Sequence, residues 1–316
     1  MSAASVCMSH SPLLEHVEPP ADVRAAVDAA FARARAFVRE FDPTLIVIFA
    51  PDHYNGFFYD LMPPFCVGYE AYAVGDYGSS QGWLDVPSEL AADLAQHVLD
   101  CDIDMAISRR MEIDHGAVQP LDILFGDIAA KPTIPIFVNS VAKPFVTMRR
   151  VRLMAEAVGK YLQKLDERVL VVGSGGLSHD PPVPQWSTAT EEQRRLLLDG
   201  RHPTAAARAA RQQRVIDAAR SFAAGQSDML DLNPEWDERF MDLCATGRLE
   251  DTDAWTPDSM AAAAGNSAHE VRTWLAAHSA LRAATNTPTM DAPAVHYRFY
   301  RAIPEFIAGF GVMVCH

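Results

Sequence analysis

The feature that most constrains the fold is a set of short, continuous apolar runs separated by segments of helical character. The runs are Ala3 to Met8, Thr44 to Ala50 (TLIVIFA), Thr133 to Ser140 (TIPIFVNS) and Arg168 to Val172 (RVLVV). A strand with one face in water alternates apolar and polar residues, whereas a strand buried on both faces is apolar throughout. The runs therefore predict a sheet with helices on both of its faces, as in an α/β protein.

The segments between and after these runs have the spacing of helices. The clearest is residues 21–40, where apolar residues recur at helical intervals and which Asp42-Pro43 ends. Other helices are predicted at 88–100, 147–165, 201–224 and 268–284, followed by a loop at 285–294 and a strand at 295–303. We interpret the basic face of 201–224 as solvated surface. With no internal repeat or low-complexity linker, the prediction is a single α/β domain, 1–316, whose central, mostly buried mixed sheet is covered by helices.

Length, charge and composition exclude several classes of protein. With 316 residues, of which 49% are hydrophobic, the chain can bury a large core and is too apolar to be disordered. The formal net charge of −14 lacks the basic footprint of a nucleic-acid binder. No stretch approaches the roughly 20 apolar residues of a membrane span, and MSAASVCMSHSP does not resemble a secretory signal. We therefore expect a cytoplasmic protein with no nucleic-acid or membrane partner.

The cysteines agree with a reducing compartment. There are five, an odd number, and they are scattered without a CxxC pair: Cys7, Cys66, Cys101, Cys244 and Cys315. Neither a disulfide framework nor a thiolate zinc site is indicated, and we interpret them as small hydrophobic residues.

Four of the eleven histidines share one kind of position, at the point where a predicted strand runs into a polar turn. They are His10 (CMSHSP), His53 (FAPDHYNG), His115 (EIDHGAVQP) and His179 (GSGGLSHDPP). Open α/β sheets bind ligands at the carboxyl ends of their strands, and imidazole binds metals and transfers protons near neutral pH. One such histidine is more often structural, but four in equivalent positions predict a functional site.

Local motifs leave the type of site open. There is no HExxH zinc signature, and Gly173-Ser174-Gly175-Gly176 has its serine one place early for a nucleophile elbow. No phosphate-binding Lys-Ser/Thr follows these glycines, so we expect them to let backbone pass close beneath a pocket. Two readings remain at this point: a metal site assembled from distant segments, or an acid-base site without metal.

Five longer phrases carry a resemblance to a known family. SHSPLLEH, FAPDHYNGFFYDLMPPFC, IDHGAVQPL, GSGGLSHDPPVP and GNSAHEVRTW resemble the class III extradiol ring-cleaving dioxygenases, and the likeness extends to IPEFIAGFG near the C-terminus. The resemblance implies Fe(II) held by His10, His53 and Glu270, with His179 as proton acceptor and His115 as proton donor. It also implies a homo-oligomer that opens 3-(2,3-dihydroxyphenyl)propionate, and 2,3-dihydroxycinnamate, with O2.

The chemistry of this ligand set agrees with the resemblance. Two neutral imidazoles and one carboxylate leave Fe(II) with open positions for both catechol oxygens and for dioxygen. The alternative, intradiol cleavage, uses Fe(III) with tyrosinate ligands, and only Tyr54 lies beside a candidate ligand. On the residues alone, Glu270 would be a glutamate in the first turn of a helix, near the positive end of its dipole.

Other polar residues are weaker candidates. Asp114 and Asp180 stand beside His115 and His179 and could orient the rings, although adjacent side chains usually point apart. His269 and His296 could line a pocket, whereas we expect surface positions for His16, His97, His202 and His316. The segment after His53 either walls an aromatic substrate or is a packed loop; its candidates are Tyr54, Asn55, Phe57, Phe58, Pro63 and Phe65. An arginine should bind the substrate carboxylate, and the sequence does not identify it.

Two rival functions use the same residues. In one, zinc occupies the two-histidine, one-glutamate site and activates water in a hydrolase. In the other, the chain is a non-catalytic metal-binding homologue, because fold does not fix function. The presence of both acid-base histidines, His115 and His179, disfavours the non-catalytic reading.

Overall fold

The centre of the computed structural model, which describes residues 2–287 and 292–316, is a large mixed sheet. The strands in chain order are β1 (Ser2–Met8), β2 (Leu45–Ala50), β3 (Phe65–Gly68), β4 (Ala71–Val74), β5 (Gln81–Trp83), β6 (Ala106–Ser108), β7 (Met111–Ile113), β8 (Thr133–Val138), β9 (Arg168–Ser174), β10 (Val295–Ile303) and β11 (Ala308–Cys315). The main sheet has eight strands in the order β10-β11-β1-β9-β2-β8-β3-β6. A smaller sheet has the order β5-β4-β7.

The middle of the main sheet is parallel and its margins are mostly antiparallel. The neighbours β1, β9, β2 and β8 run in one direction. On one side β11 pairs antiparallel with both β1 and β10, and on the other side β3 pairs antiparallel with β8. The carboxyl ends of β1, β9 and β2 therefore meet at one edge of the sheet, which is where loops can bring side chains together.

Helices cover both faces of this sheet. They are α1 (Ala21–Phe41), α2 (Ser88–Asp100), α3 (His115–Phe125), α4 (Met148–Leu162), α5 (Glu191–Asp199), α6 (Ala205–Ala223), α7 (Pro234–Ala245), α8 (Pro257–Ala264) and α9 (Val271–Ala284), with short 3-10 turns at Asp76–Gly78, Leu249–Ala254, Ala268–Glu270 and Pro304–Phe306. Residues of α2, α4, α7 and α9 pack on one face, and residues of α1, α3 and α6 on the other. None of the helices in the described ranges has both the length and the apolar character needed to cross a bilayer.

The strand β2 shows why the apolar runs are continuous. Its residues Leu45, Val47 and Phe49 belong to the hydrophobic cluster on one face. The alternate residues Ile46, Ile48 and Ala50 belong to the cluster on the other face. Because both faces are buried, every position of the strand is apolar. The predicted class, a mixed α/β fold with a mostly buried central sheet, is confirmed.

Several predicted boundaries change. The segment 201–224 becomes helical only at Ala205, with Thr204 as its N-cap. Helix 147–165 ends at Leu162, and 268–284 begins with a 3-10 turn before α9. The predicted loop 285–294 lies partly outside the described residues. All five cysteines are free, and only Cys101 is exposed.

A network of ion pairs joins α4 and α9 to the turn Leu249–Ala254. Arg282, which is 6% exposed, lies 2.6 Å from Glu250 and 2.9 Å from Glu156. Arg152 lies 2.8 Å from Glu156 and 2.7 Å from Asp253. Removing Arg282 leaves Glu156 and Glu250 with Arg152 as their remaining cation, 2.8 and 3.5 Å away. This is costly because the partly buried carboxylates have given up part of their hydration.

We expect Arg282→Met to lower the free energy of unfolding by about 2–3 kcal/mol, below the ~3–5 kcal/mol of a fully buried pair. The matched control is Arg301→Met, which removes an exposed ion pair with Asp22 and should cost less than about 1 kcal/mol. Urea unfolding of both variants measures the difference. Equal losses in the two variants would contradict the structural role of the network.

Candidate metal and acid-base site

The four histidines that follow strands meet at one edge of the main sheet. His10 follows β1, His53 follows β2 and His179 follows β9, and these three strands are neighbours. His115 follows β7 of the smaller sheet and opens helix α3. Ring nitrogens of His10, His53 and His115 lie within 4.8 Å of one another. The predicted meeting of these histidines is confirmed, and three of them form a group that could hold a metal ion.

The ring of His10 is fixed by Ser174 at the end of β9. The Ser174 hydroxyl donates to the carbonyl of Gly116, so its only hydrogen is committed. His10 Nδ1 lies 2.9 Å from the same oxygen and must therefore donate to it. The lone pair of His10 is then on Nε2, which lies 3.5 Å from Glu270 Oε2. Burial lowers the pKa of His10 to about 3, so the ring is neutral near neutral pH.

His53 is held in the same tautomer by Asp114. The Asp114 carboxylate accepts the His53 backbone N–H at 2.7 Å and lies 3.1 Å from His53 Nδ1. Its other oxygen accepts from Gly116 N and caps helix α3. The possibility that Asp114 orients its neighbour His115 is thus wrong, because the carboxylate points across to a different loop. His53 Nε2 faces Glu270 Oε1 at 3.1 Å.

Glu270 is the point on which the rings converge. It ends the turn Ala268–Glu270 just before α9 and is 1% exposed. Its Oε2 accepts the N–H of Gly176 at 2.9 Å. A Cβ at residue 175 would lie 2.8 Å from the Cβ of Glu270, so only glycine fits there. The expected close passage of backbone at the glycine cluster is present, and it packs directly against the carboxylate.

The donor set formed by His10, His53 and Glu270 fits a metal ion. An unprotonated Nε2 atom and a carboxylate oxygen repel each other unless a proton or a cation lies between them. Nε2 of His53 and Nε2 of His10 lie 3.1 and 3.5 Å from the Glu270 carboxylate oxygens, close enough for one ion to contact all three side chains. Burial opposes the charging of His53, but Asp114 and Glu270 outweigh it and hold the pKa of His53 well above its usual value. A bound cation would replace that proton.

Charge in the site is concentrated on Glu270. Burial alone would raise the pKa of this carboxyl, but the attraction of His179 and His10, with the hydrogen bonds from His179 and His53, holds it well below the usual range. The pKa of Asp114 is also lowered, because attraction to His53 and His115 outweighs its burial. Both carboxylates are therefore ionised at neutral pH and favour a cation between the rings.

His179 lies on the other side of Glu270. Its Nδ1 donates to the carbonyl of Leu177 at 2.8 Å, which leaves the lone pair on Nε2. Nε2 lies 3.2 Å from Glu270 Oε1. Burial opposes protonation, but Glu270 and the Leu177 carbonyl raise the pKa of His179 above its usual value. Asp180, considered as an orienting group for this ring, instead accepts from the backbone and side chain of Asn266.

His115 is oriented by a residue that the sequence did not indicate. Asp76, in the turn Asp76–Gly78, accepts the backbone N–H of His115 at 2.8 Å and lies 2.6 Å from its Nδ1. The ring stacks on His53 with centroids 4.5 Å apart. Its buried Nε2 has no hydrogen-bond partner among the residues that the structure describes. That atom is free to exchange a proton with a bound molecule.

The segment after His53 divides between the two expected roles. Phe57 stacks on Phe137, and Phe65 lies in β3 within the core. Asn55 donates to Asp114. Tyr54 and Phe58 form a small apolar cluster with Val141, Ala142, Ala189 and Leu197, and Pro63 is half-buried. These contacts are those of a packed loop, and a role of Tyr54 and Phe58 in walling an aromatic substrate stays a prediction.

The remaining histidines lie as expected in most cases. His16, His202 and His316 are exposed and His97 is half-buried. His296 is exposed on β10 against Phe37, so it does not line the site. His269 is buried against Phe145, and burial lowers its pKa to about 2. It has no hydrogen-bond partner in the described ranges.

The basic face of α6 is only partly solvated, which corrects the interpretation from sequence. Arg214 and Arg220 are exposed, but Arg208 and Arg211 are half-buried. Arg208 donates to the carbonyl of Val74, and Arg211 donates to the carbonyls of His53 and Tyr54. The helix therefore covers the loop that carries His53.

Comparison with known families agrees with this arrangement. The family model described as the catalytic LigB subunit of aromatic ring-opening dioxygenase matches residues 4–311. The chain is 62% identical over 312 residues to the 2,3-dihydroxyphenylpropionate/2,3-dihydroxicinnamic acid 1,2-dioxygenase of Rhodococcus globerulus, covering 99% of this chain and 98% of that protein. It is 61% identical to the Rhodococcus rhodochrous protein of the same name, with 99% and 97% covered.

Proposed function

The chain belongs to the family of the catalytic LigB subunit of aromatic ring-opening dioxygenase, and from this we propose that it opens 3-(2,3-dihydroxyphenyl)propionate, and 2,3-dihydroxycinnamate, beside the two hydroxyls with O2. The observation that carries the proposal is the convergence of two fixed imidazole nitrogens on the buried carboxylate of Glu270. The substrates are taken from the names of the relatives with which the chain shares nearly its whole length.

The metal in this proposal is Fe(II), held by His10, His53 and Glu270. Bound there, it supplies adjacent open positions for the catechol oxygens and for dioxygen, and so holds the two reactants together. Ser174 and Asp114 each contact Nδ1 of one imidazole, so Nε2 of each ring is the atom left to bind the metal. Gly176 fixes one oxygen of the carboxylate.

His179 is the proposed proton acceptor. A catechol hydroxyl must lose its proton as the substrate binds, and Nε2 of His179, the ring nitrogen that does not contact the Leu177 carbonyl, is the atom that would take it. The Leu177 carbonyl holds the opposite side of the ring, so the accepted proton makes an imidazolium that remains hydrogen-bonded at Nδ1. The neighbouring carboxylate of Glu270 stabilises that charge.

His115 is the proposed proton donor. With Nδ1 directed at the Asp76 carboxylate, Nε2 is the ring nitrogen left to donate a proton to a bound molecule. The proton then leaves from Nε2, which has no other partner among the described residues. His115 and His179 thus flank the metal position from different loops, which suits one proton taken and one returned.

Further parts of the proposal rest on the sequence and the relatives alone. They are a single catalytic domain over 1–316, a homo-oligomer, and a cytoplasmic location. The competing zinc hydrolase would use the same His10, His53 and Glu270 set, and the non-catalytic homologue would bind metal without turning over a catechol.

Oxygen uptake separates these functions. The protein is reconstituted without oxygen with Fe(II) or with Zn(II), and each form is then mixed with aerated 3-(2,3-dihydroxyphenyl)propionate. We expect the Fe(II) form to consume one O2 for each catechol and the Zn(II) form to consume none. A panel of catechols with and without the propionate chain measures its contribution to kcat/KM. No oxygen uptake by a fully loaded Fe(II) form would contradict the proposal.

A further inference from the structure

The buried carboxylate of Asp237, apart from the proposed metal ligands, has no counter-ion within ion-pair distance among the described residues. Asp237 lies on α7 and is 0% exposed. No ion pair that the structure shows in the ranges 2–287 and 292–316 involves it. Burying a carboxylate costs free energy unless hydrogen-bond donors of the protein replace its hydrating water. The residues that supply those donors are therefore the ones that Asp237 holds in place.

Within the part of the chain that the structure describes, two residues donate hydrogen bonds to the Asp237 side chain. Ser178 donates its backbone N–H to Oδ1 at 2.6 Å and its hydroxyl to Oδ2 at 2.7 Å. The hydroxyl of Tyr300, on β10, donates to Oδ2 at 2.7 Å. Ser178 directly precedes His179 in the chain. The carboxylate therefore clamps both donors of the residue next to the proposed proton acceptor.

The contacts around this clamp are close on every side. The Ser178 carbonyl accepts from Gly309 N at 2.8 Å, and its hydroxyl accepts from Asn233 N at 2.9 Å. A side chain at residue 309 would overlap the Asp237 carboxylate, so glycine is required there. His179 N donates to the Ala264 carbonyl at 2.9 Å. Because the two residues are adjacent, a displacement of Ser178 would also displace His179.

We propose that Asp237 is a positioning residue that acts through Ser178 to hold His179 Nε2 at its place beside Glu270. The inference rests on the proposed function, because it requires His179 to take part in turnover. Asp237 contacts none of the reacting positions, so its effect should appear in kcat and not in metal binding. Misplacement of a catalytic group by about 1 Å can cost ~100-fold in rate.

The Asp237→Asn variant tests whether the hydrogen bonds of Asp237 matter or only its shape. Asp237→Asn keeps the shape, but its Nδ2 cannot accept a hydrogen bond, so it can satisfy the donors of only one side. Either Ser178 N or the pair of hydroxyls on Oδ2 then faces an N–H. We expect kcat to fall about 10- to 100-fold, with KM within about threefold and with full iron content.

Controls on the same network separate position from stability. Asp242→Asn changes an exposed aspartate of α7 that pairs with Arg298, and it should leave kcat unchanged. Tyr300→Phe removes one donor but keeps both bonds to Ser178, and it should lower kcat less than about threefold. If Asp237→Asn does not fold, Ser178→Ala takes its place, because it removes the hydroxyl half of the clamp from the other side.

A double-mutant cycle with His179→Ala tests the inference. If Asp237 acts through His179, then Asp237→Asn should change kcat less than about twofold once His179 is alanine. An undiminished effect in that background would overturn the inference, as would a normal kcat of Asp237→Asn beside a slow His179→Ala. A normal rate of His179→Ala would instead overturn the role of His179 in the proposed function, and the inference with it.

Discussion

Replacing His53 with alanine should remove both the metal and ring cleavage. His53 Nε2 is one of two imidazole nitrogens directed at Glu270, and Asp114 fixes its tautomer. Without it, only His10 and Glu270 remain of the three proposed ligands. Fe(II) should then bind too weakly to stay on the protein during gel filtration. Metal analysis of the reconstituted variant should give little iron, and oxygen uptake should fall to background.

The control for this variant is His202→Ala, which removes an exposed histidine that lies 3.5 Å from Glu112. It should bind a full equivalent of iron and retain normal oxygen uptake. Circular dichroism of both variants checks that the fold is kept. Full iron occupancy in His53→Ala would show that this histidine is not a ligand.

The second large effect is expected from the acid-base histidines. His179→Ala and His115→Ala should each retain iron and lose at least ~100-fold in kcat, within the range of positioned proton-transfer groups. Their Nε2 atoms lie beside the proposed metal ligands, but each ring is held at Nδ1 by its own partner, Leu177 or Asp76. Steady-state oxygen uptake, with iron content measured on the same samples, checks both parts.

The His115→Ala variant is the stricter test of the ligand assignment, because a ring nitrogen of His115 also lies within 4.8 Å of those of His10 and His53. Loss of iron in His115→Ala would make it a ligand and would displace one of the proposed three. Near-normal turnover in both variants would remove the acid-base pair from the mechanism.

The fold could be predicted well where burial determines the sequence. Strands β1, β2, β8 and β9 are apolar at nearly every position because both of their faces are covered, and this pattern is visible without a structure. The short strands β3 to β7 contain only three or four residues each, so no periodicity develops. Strand β11 was missed, although its residues are all buried.

The histidines of the site could be predicted from the sequence, but the residues that orient them could not. A histidine after a strand is a local signal, and all four such residues meet. Asp76 and Asp237 are ordinary acidic residues in sequence, and their partners His115 and Ser178 come from distant parts of the chain. Asp114 was considered for the wrong ring because it adjoins His115 in sequence, while its side chain reaches His53.

The position of the broken bond tests the central claim most directly. The wild-type Fe(II) protein is given 3-(2,3-dihydroxyphenyl)propionate and O2, and the product is followed by its ultraviolet-visible spectrum and identified by mass and NMR. We predict a yellow, conjugated keto product that carries both oxygen atoms and is opened between the hydroxylated carbon and the carbon bearing the side chain. A colourless muconate-type diacid, cleaved between the two hydroxyls, would contradict extradiol cleavage.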